Sequence, residues 1–278
     1  MMMPVRRVIL MPLACMALLL AVMPLPARSY VLMGEHILDL TVKALGQADT
    51  LEATQTLTIH APLPAPADSL QQTIRMRKPH DLRMDAVGAA YERHVLIAGP
   101  RTLLAVNGIL QDGPLPRYLR YHDILMVKSR QALVDQLRMM GVDVQVSSLG
   151  RMEDHYCYVV GARFPNDDAA QLWVDKDTFL PTRLLLPASA LQPEAGPVEI
   201  RYRNWTFVEG AAYPMHVVVM QDHQIMEEAR VDRVQANPVL GGDVFDTGLL
   251  RQQWARPTPP SEVYPVPAPP SILPKPTE

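Results

Sequence analysis

Apolar and polar residues alternate with a period of two over most of this chain. Leu51, Ala53, Leu57 and Ile59 interleave with Glu52, Thr54, Thr56 and Thr58, and Leu70, Ile74 and Met76 with Thr73, Arg75 and Arg77. Leu82, Met84 and Ala86 then interleave with Arg83 and Asp85 across a Pro79-His80-Asp81 turn. Such a period puts successive side chains on opposite faces of a strand, so each strand has one buried and one wet face. His94 to Ala98 and Arg101 to Val106 predict two more strands across Gly99-Pro100, and Asn107-Gly108 is a two-residue hairpin signal.

The second half of the chain repeats the pattern. Val142 to Ser147 and Tyr156 to Ala162 read as strands. Four runs rich in β-branched and aromatic residues follow between Gln171 and Met220. Asp175-Lys176-Asp177-Thr178, the Pro187 to Pro197 connection and Glu209-Gly210 separate them, and the last strand is Ile225 to Val234. Short strands joined by tight turns need no crossover helix, so the pattern predicts an antiparallel meander.

Two interruptions have helical spacing. From Gly34 to Gly46, Leu38, Val42 and Leu45 form one stripe that Gly46 ends. From Arg117 to Met140, Tyr118, Leu119, His122, Leu125 and Met126 line one helix. Ser129 then caps a second, whose stripe is Leu133, Val134, Leu137 and Met140, closed by Gly141. The fold class is mainly β with α elements, and the inserted helical pair must lay its apolar face on the sheet.

The ends differ from this body. Arg6 and Arg7 precede an apolar run from Val8 to Met23, and Ala27-Arg28-Ser29 offers small residues for cleavage before Tyr30. Residues 1–29 are expected to be a signal peptide, 30–250 the folded domain and 251–278 a Pro-rich disordered tail. An uncleaved or lipid-anchored form is the alternative. Cleavage takes Arg6, Arg7 and Arg28 and no acid, moving the formal net charge from −3 to −6. That balance argues against nucleic acid as a partner. It also leaves Cys157 as the one thiol, in a strand-like run, so no intramolecular disulfide forms in the mature chain.

Catalytic chemistry has no signature here. The eight histidines are dispersed, no pair has the i, i+4 spacing of a helical zinc site, and there is neither a Gly-x-Ser-x-Gly elbow nor a phosphate-cradling glycine loop. The reading is therefore no enzyme, no metal and no cofactor. Glu227, Glu228 and Glu153 are the acids that a fold would have to bring together to change it.

Arg75-Met76-Arg77-Lys78-Pro79, with Arg83 beyond it, resembles the strand, Lys-Pro turn and Arg-bearing strand of periplasmic lipoprotein-localisation factors of the LolA type. Leu172-Trp173-Val174-Asp175-Lys176 through Leu180-Pro181 matches the wider superfamily of outer-membrane lipoprotein-sorting proteins. So do Tyr202 through Gly210, Tyr213-Pro214, Asn237-Pro238 and Asp243-Val244-Phe245. The resemblance implies an open antiparallel β half-barrel, covered by helices, whose apolar cavity takes acyl chains in outer-membrane biogenesis.

On that resemblance the cavity is lined by Leu57, Ile59, Ile74, Met76, Met84, Leu125, Leu133, Leu137, Met140, Trp173 and Met215, and Arg75, Arg77 and Arg83 contact the lid. Read from the residues alone, the same methionines suit ordinary core packing. The strand alternation also puts the three arginines on the wet face. Two functional readings follow: a periplasmic carrier that transports a lipid or the acyl chains of a lipoprotein, or an envelope sensor or scaffold that binds a protein partner through its sheet or Pro-rich tail.

Overall fold

The computed structural model describes residues 31–60, 68–188 and 196–254. The signal segment, the middle of the Pro187 to Pro197 connection and the tail beyond Trp254 lie outside the described residues. Helix α1 (Gly34–Leu45) leads into strands β1 (Thr50–Ile59), β2 (Asp68–Arg77), β3 (Asp81–Val87), β4 (Glu92–Ala98), β5 (Arg101–Val106) and β6 (Ile109–Leu110). The insertion follows, ending in helix α2 (Arg130–Met139). After it come β7 (Ser147–Met152), β8 (His155–Val160), β9 (Gln171–Asp175), β10 (Pro181–Leu186), β11 (Val198–Val208), β12 (Ala211–Gln221), β13 (Gln224–Ala236) and helix α3 (Thr247–Trp254).

Among the described residues all thirteen strands form one antiparallel sheet in the order β6-β5-β4-β3-β2-β1-β13-β12-β11-β10-β9-β8-β7. The two arms of the chain meet where β1 pairs with β13. The outermost strands, β6 and β7, do not pair with each other, so the sheet is an open half-barrel. Its meander order follows from the turns. Asn107 and Gly108 both take positive φ, as a type I′ hairpin requires, and join β5 to β6. The alternation in β1 is complete: every second residue from Leu51 to Ile59 is buried.

Helix α1 buries Ile37, Leu38, Thr41, Val42 and Leu45 and packs against α2, β8 and β12. Gly46 ends it at φ 79°, and a Cβ there would sit 2.0 Å from the carbonyl oxygen of Gly210. Only glycine lets the helix end come this close to the β11–β12 turn. Helix α2 is capped as expected, with the Ser129 hydroxyl accepting from the Ala132 N–H at 3.2 Å.

Three expectations change. The first helix of the inserted pair is absent; Arg117–Arg120 and Asp123–Leu125 form short 3₁₀ turns instead. Val142 to Ser147 is not a strand up to Ser147, because the Asp143 carboxylate accepts from the Gln145 N–H at 3.1 Å and turns the chain away from the ladder. The C-terminal boundary at 250/251 falls inside helix α3, whose Leu250 and Trp254 are buried on the outer face with Leu96, Leu103, Ala105 and Phe245.

One contact measures the curvature of the sheet. Arg93 on β4 makes a bidentate ion pair with Glu227 on β13, and both side chains are almost wholly buried on the concave face. Three strands, β3, β2 and β1, lie between them. In a flat sheet four inter-strand spacings separate such residues by at least ~19 Å. An extended arginine, an extended glutamate and one hydrogen bond span only roughly 14 Å. The pair therefore forms only across a curved trough, and in turn resists its flattening. Removing one partner leaves the other charge buried, so Arg93→Met and Glu227→Gln are each expected to cost about 3–5 kcal/mol in urea unfolding. The double variant Arg93→Met/Glu227→Leu should recover much of that loss.

Candidate functional site

The concave face of the sheet is where the expected cavity residues have to be placed. Residues directly opposite in an antiparallel ladder share a face, which fixes its floor. Leu51, Ala53 and Leu57 of β1 align with Met76, Ile74 and Leu70 of β2, Ile59 continues the same parity, and Ile74 aligns with Met84 of β3. Of the expected cavity residues, Leu57, Ile59, Ile74, Met76 and Met84 lie on this floor, all at 5 % exposure or less. Leu125, Leu133 and Leu137 reach the same interior from the insertion and are equally buried, whereas Met140 and Met215 are half-buried.

Those exposures decide the state of the trough. A side chain lining a water-sized void would show surface to it, yet Leu57, Met76, Leu133 and Leu137 show none. Their surroundings are filled by the protein itself. The seven consecutive residues Tyr121 to Val127 are all buried, which no one-sided lid helix would achieve. The insertion is a plug lying in the trough, with α1 and α2 packed together beside it. The expected lining residues thus form a packed core in this structure.

Side-chain hydrogen bonds explain why the plug is not helical. The Tyr202 hydroxyl donates to the Tyr121 carbonyl at 2.7 Å, and Nε2 of His122 lies 3.1 Å from the Tyr213 hydroxyl. Arg117 donates to the Pro187 carbonyl at 2.8 Å, and Asp123 takes bonds from Arg120 at 2.7 Å and Gln136 at 3.1 Å. These contacts satisfy groups that an α-helix would otherwise turn on itself. Further polar groups share the interior: Gln55 and Gln72 hydrogen-bond across β1 and β2 at 2.6 Å, beside the Arg93–Glu227 pair.

The three arginines expected at the lid are on the other face. Arg75 pairs with Glu52 at 2.8 Å and Asp85 at 3.2 Å. Arg77 lies 4.7 Å over the Phe245 ring, and Arg83 lies 5.7 Å over Trp254 while donating to the Val244 carbonyl at 3.3 Å. Arg77 and Arg83 bind the segment around α3 to the convex side, where His94 also stacks on Trp254. The alternation of β2 and β3 dictated this, since each arginine follows an inward residue by one position.

Trp173 is likewise not in the trough. Leu57 aligns with Ala229, Ala229 with Val217, Val217 with Tyr202, Ile200 with Leu184, and Leu184 with Leu172, so Leu172 faces inward and Trp173 outward. It packs with Cys157, Val159 and Ala162 on the convex face and covers Gly150, where a Cβ would come within 2.9 Å of its ring. The three acids do not converge: Glu227 is inside with Arg93, Glu228 is outside with His216 at 2.7 Å, and Glu153 pairs with Arg203.

No protein-family model matches the chain. No curated protein sequence matches it either. Solved structures do. A LolA superfamily protein from Nitrosomonas europaea superposes with a TM-score of 0.51 at 13% identity, covering 79% of this chain and 100% of that one. A DUF1329 family protein from Desulfovibrio piger gives 0.52 at 12% identity, covering 79% and 100%. At such identity the likeness defines the fold: an open, mainly-β half-barrel with a few helices. That fold is LolA-like.

Two buried titratable groups make the plugged state depend on pH. Burial pushes His122 down to about 3, so between pH 6.5 and 3 the unfolded chain holds a proton that the folded protein lacks, and stability falls as pH drops through that window. Melts at pH 6.5 and 5 are expected to show wild type losing about 2 kcal/mol more than His122→Gln. Lys78, 8 % exposed, is lowered to about 8, first by burial and then by Lys128. Its charged form therefore burdens the folded state below pH 8, and stability rises between 8 and 10.5. Lys78→Met should be more stable than wild type at pH 7 by about 2–3 kcal/mol, an advantage that shrinks across that upper window in urea titrations.

Proposed function

We propose that the protein is a non-enzymatic binding protein of the periplasm, exported by its N-terminal segment, that carries a lipid or the acyl chains of a lipoprotein in its concave trough. The observation that carries this reading is the plug. Tyr121–Val127 occupies the trough without belonging to the sheet and is fastened to β11 and β12 by two side-chain hydrogen bonds, Tyr202 to Tyr121 and Tyr213 with His122. An acyl chain that displaced it would bury comparable apolar surface. Ile124, Leu125, Met126 and Val127 contribute about 1.5–3 kcal/mol each, and a twelve-carbon chain about 10 kcal/mol at ~0.8 per methylene. The two occupants are nearly balanced, as a carrier that must both load and unload requires.

The LolA-like fold and the motif resemblance support the same reading. The packed trough favours the second one, in which the protein is a sensor or scaffold that meets an envelope partner through its sheet or Pro-rich tail. Deleting residues 257–278 would then abolish partner capture.

Native mass spectrometry of the mature protein, followed by lipid extraction, separates them. The carrier reading expects co-purifying acyl species. Leu125→Ala should raise the occupied fraction, because trimming the plug weakens the competitor by about 2–4 kcal/mol. Wild type and Leu125→Ala both free of any acyl mass would rule the carrier out.

A further inference from the structure

We infer that Lys78 and Lys128 form the head-group site of the trough, taking the anionic end, a phosphate or a carboxylate, of a single-chain amphiphile whose tail replaces the plug. This rests on the carrier reading and names the chemistry of its ligand.

Lys78 continues the inward parity of Leu70, Gln72, Ile74 and Met76 past the end of β2. It is more than nine-tenths buried, yet among the described residues its ammonium makes no hydrogen bond and has no acid within ion-pair distance. Its stem is buried while its nitrogen still reaches solvent, so the charge sits at the rim without a counter-ion. Asp49 adjoins it in the fold, its carbonyl accepting from the Lys78 N–H at 2.8 Å. Its carboxylate, however, is turned to solvent and bound to Lys128. The Lys128 ammonium thus has a carboxylate partner, and the Lys78 ammonium has none among the described residues.

The surroundings make this a built rim. The Asp49 N–H donates to the Asn237 side chain at 3.0 Å, and Thr50 donates to the Pro238 carbonyl at 2.8 Å, so the start of β1, the β2–β3 turn and the segment after β13 are tied together. Lys128 sits where the plug ends, immediately after buried Val127. A chain lying where Tyr121–Val127 lies would bring its end to Lys128 and, beneath it, to Lys78. The other end of the plug offers no such site: Arg120 is held by Asp123 and Arg117 by the Pro187 carbonyl.

Calorimetric titration of the mature protein with dodecyl phosphate, dodecanoate, dodecanol and inorganic phosphate tests the assignment. Dodecyl phosphate or dodecanoate is expected to bind about tenfold or more tightly than dodecanol, the gain of one charge-assisted contact in a dry site. Whichever of the two binds more tightly identifies the head group. Lys78→Met should remove that preference, Lys128→Met should reduce it, and Arg117→Met should not. Lys78→Gln provides a second variant of the same site, and melting curves verify that each variant is folded. An unchanged preference in both Lys78 variants overturns the assignment. Equal binding of anionic and neutral chains does so too but leaves the carrier reading standing. Inorganic phosphate binding as tightly as dodecyl phosphate makes this a free-anion site and overturns the amphiphile. No binding of any twelve-carbon probe removes the head-group site and the carrier together.

Discussion

The ion pair between Arg93 and Glu227 is the constraint on which the rest of the structure depends. Two charges out of water require each other, and these two lie on strands separated by three others. They can meet only if the sheet bends sharply enough to shorten the path across its concave side. The bend creates the trough, the trough receives Tyr121–Val127, and the plug completes the burial of the pair. Curvature, charge pairing and plug are thus one cooperative unit.

That unit is less apolar than a simple grease-filled cavity. Gln55 with Gln72, Tyr202 with the Tyr121 carbonyl, and His122 with Tyr213 place hydrogen bonds inside it. Each fixes the plug or the floor in one arrangement, since a half-broken polar network in a dry interior is costly. An occupant that replaces the plug must leave the Gln55–Gln72 and Arg93–Glu227 pairs intact and needs only to fill the space of the plug's side chains. A flexible hydrocarbon chain does this more readily than a rigid or polar molecule.

Much of the fold was legible because strand alternation and turn chemistry are local. β1 to β5 and β9 to β12 stand where the period of two and the Asn-Gly, Asp-Lys-Asp and Glu-Gly turns put them. The site was less so. The inserted segment read as a helix pair because Tyr118, Leu119, His122, Leu125 and Met126 have helical spacing, but burial on every side and hydrogen bonds from β11 and β12 override it. The family resemblance put Trp173 in the cavity, although its one-residue offset from inward-facing Leu172 puts it outside. Arg93 and Glu227 do carry a signal in the alternation. Each continues an inward series, with Val95 and Ile97 or with Ala229 and Val231, and opposite charges at inward positions can be satisfied only by meeting. Helix α3 was hidden by the prolines that follow it, yet Leu250 and Trp254 are spaced to share one side.

The way α3 is moored has a consequence for traffic around the molecule. Trp254, wedged beside His94 and Arg83, is the last described residue, and it lies on the back of the sheet, with the full thickness of the strands between it and the trough. The last described point of the chain is therefore on the convex side. A companion caught beyond that point would be tethered on the convex side, leaving the concave face unobstructed.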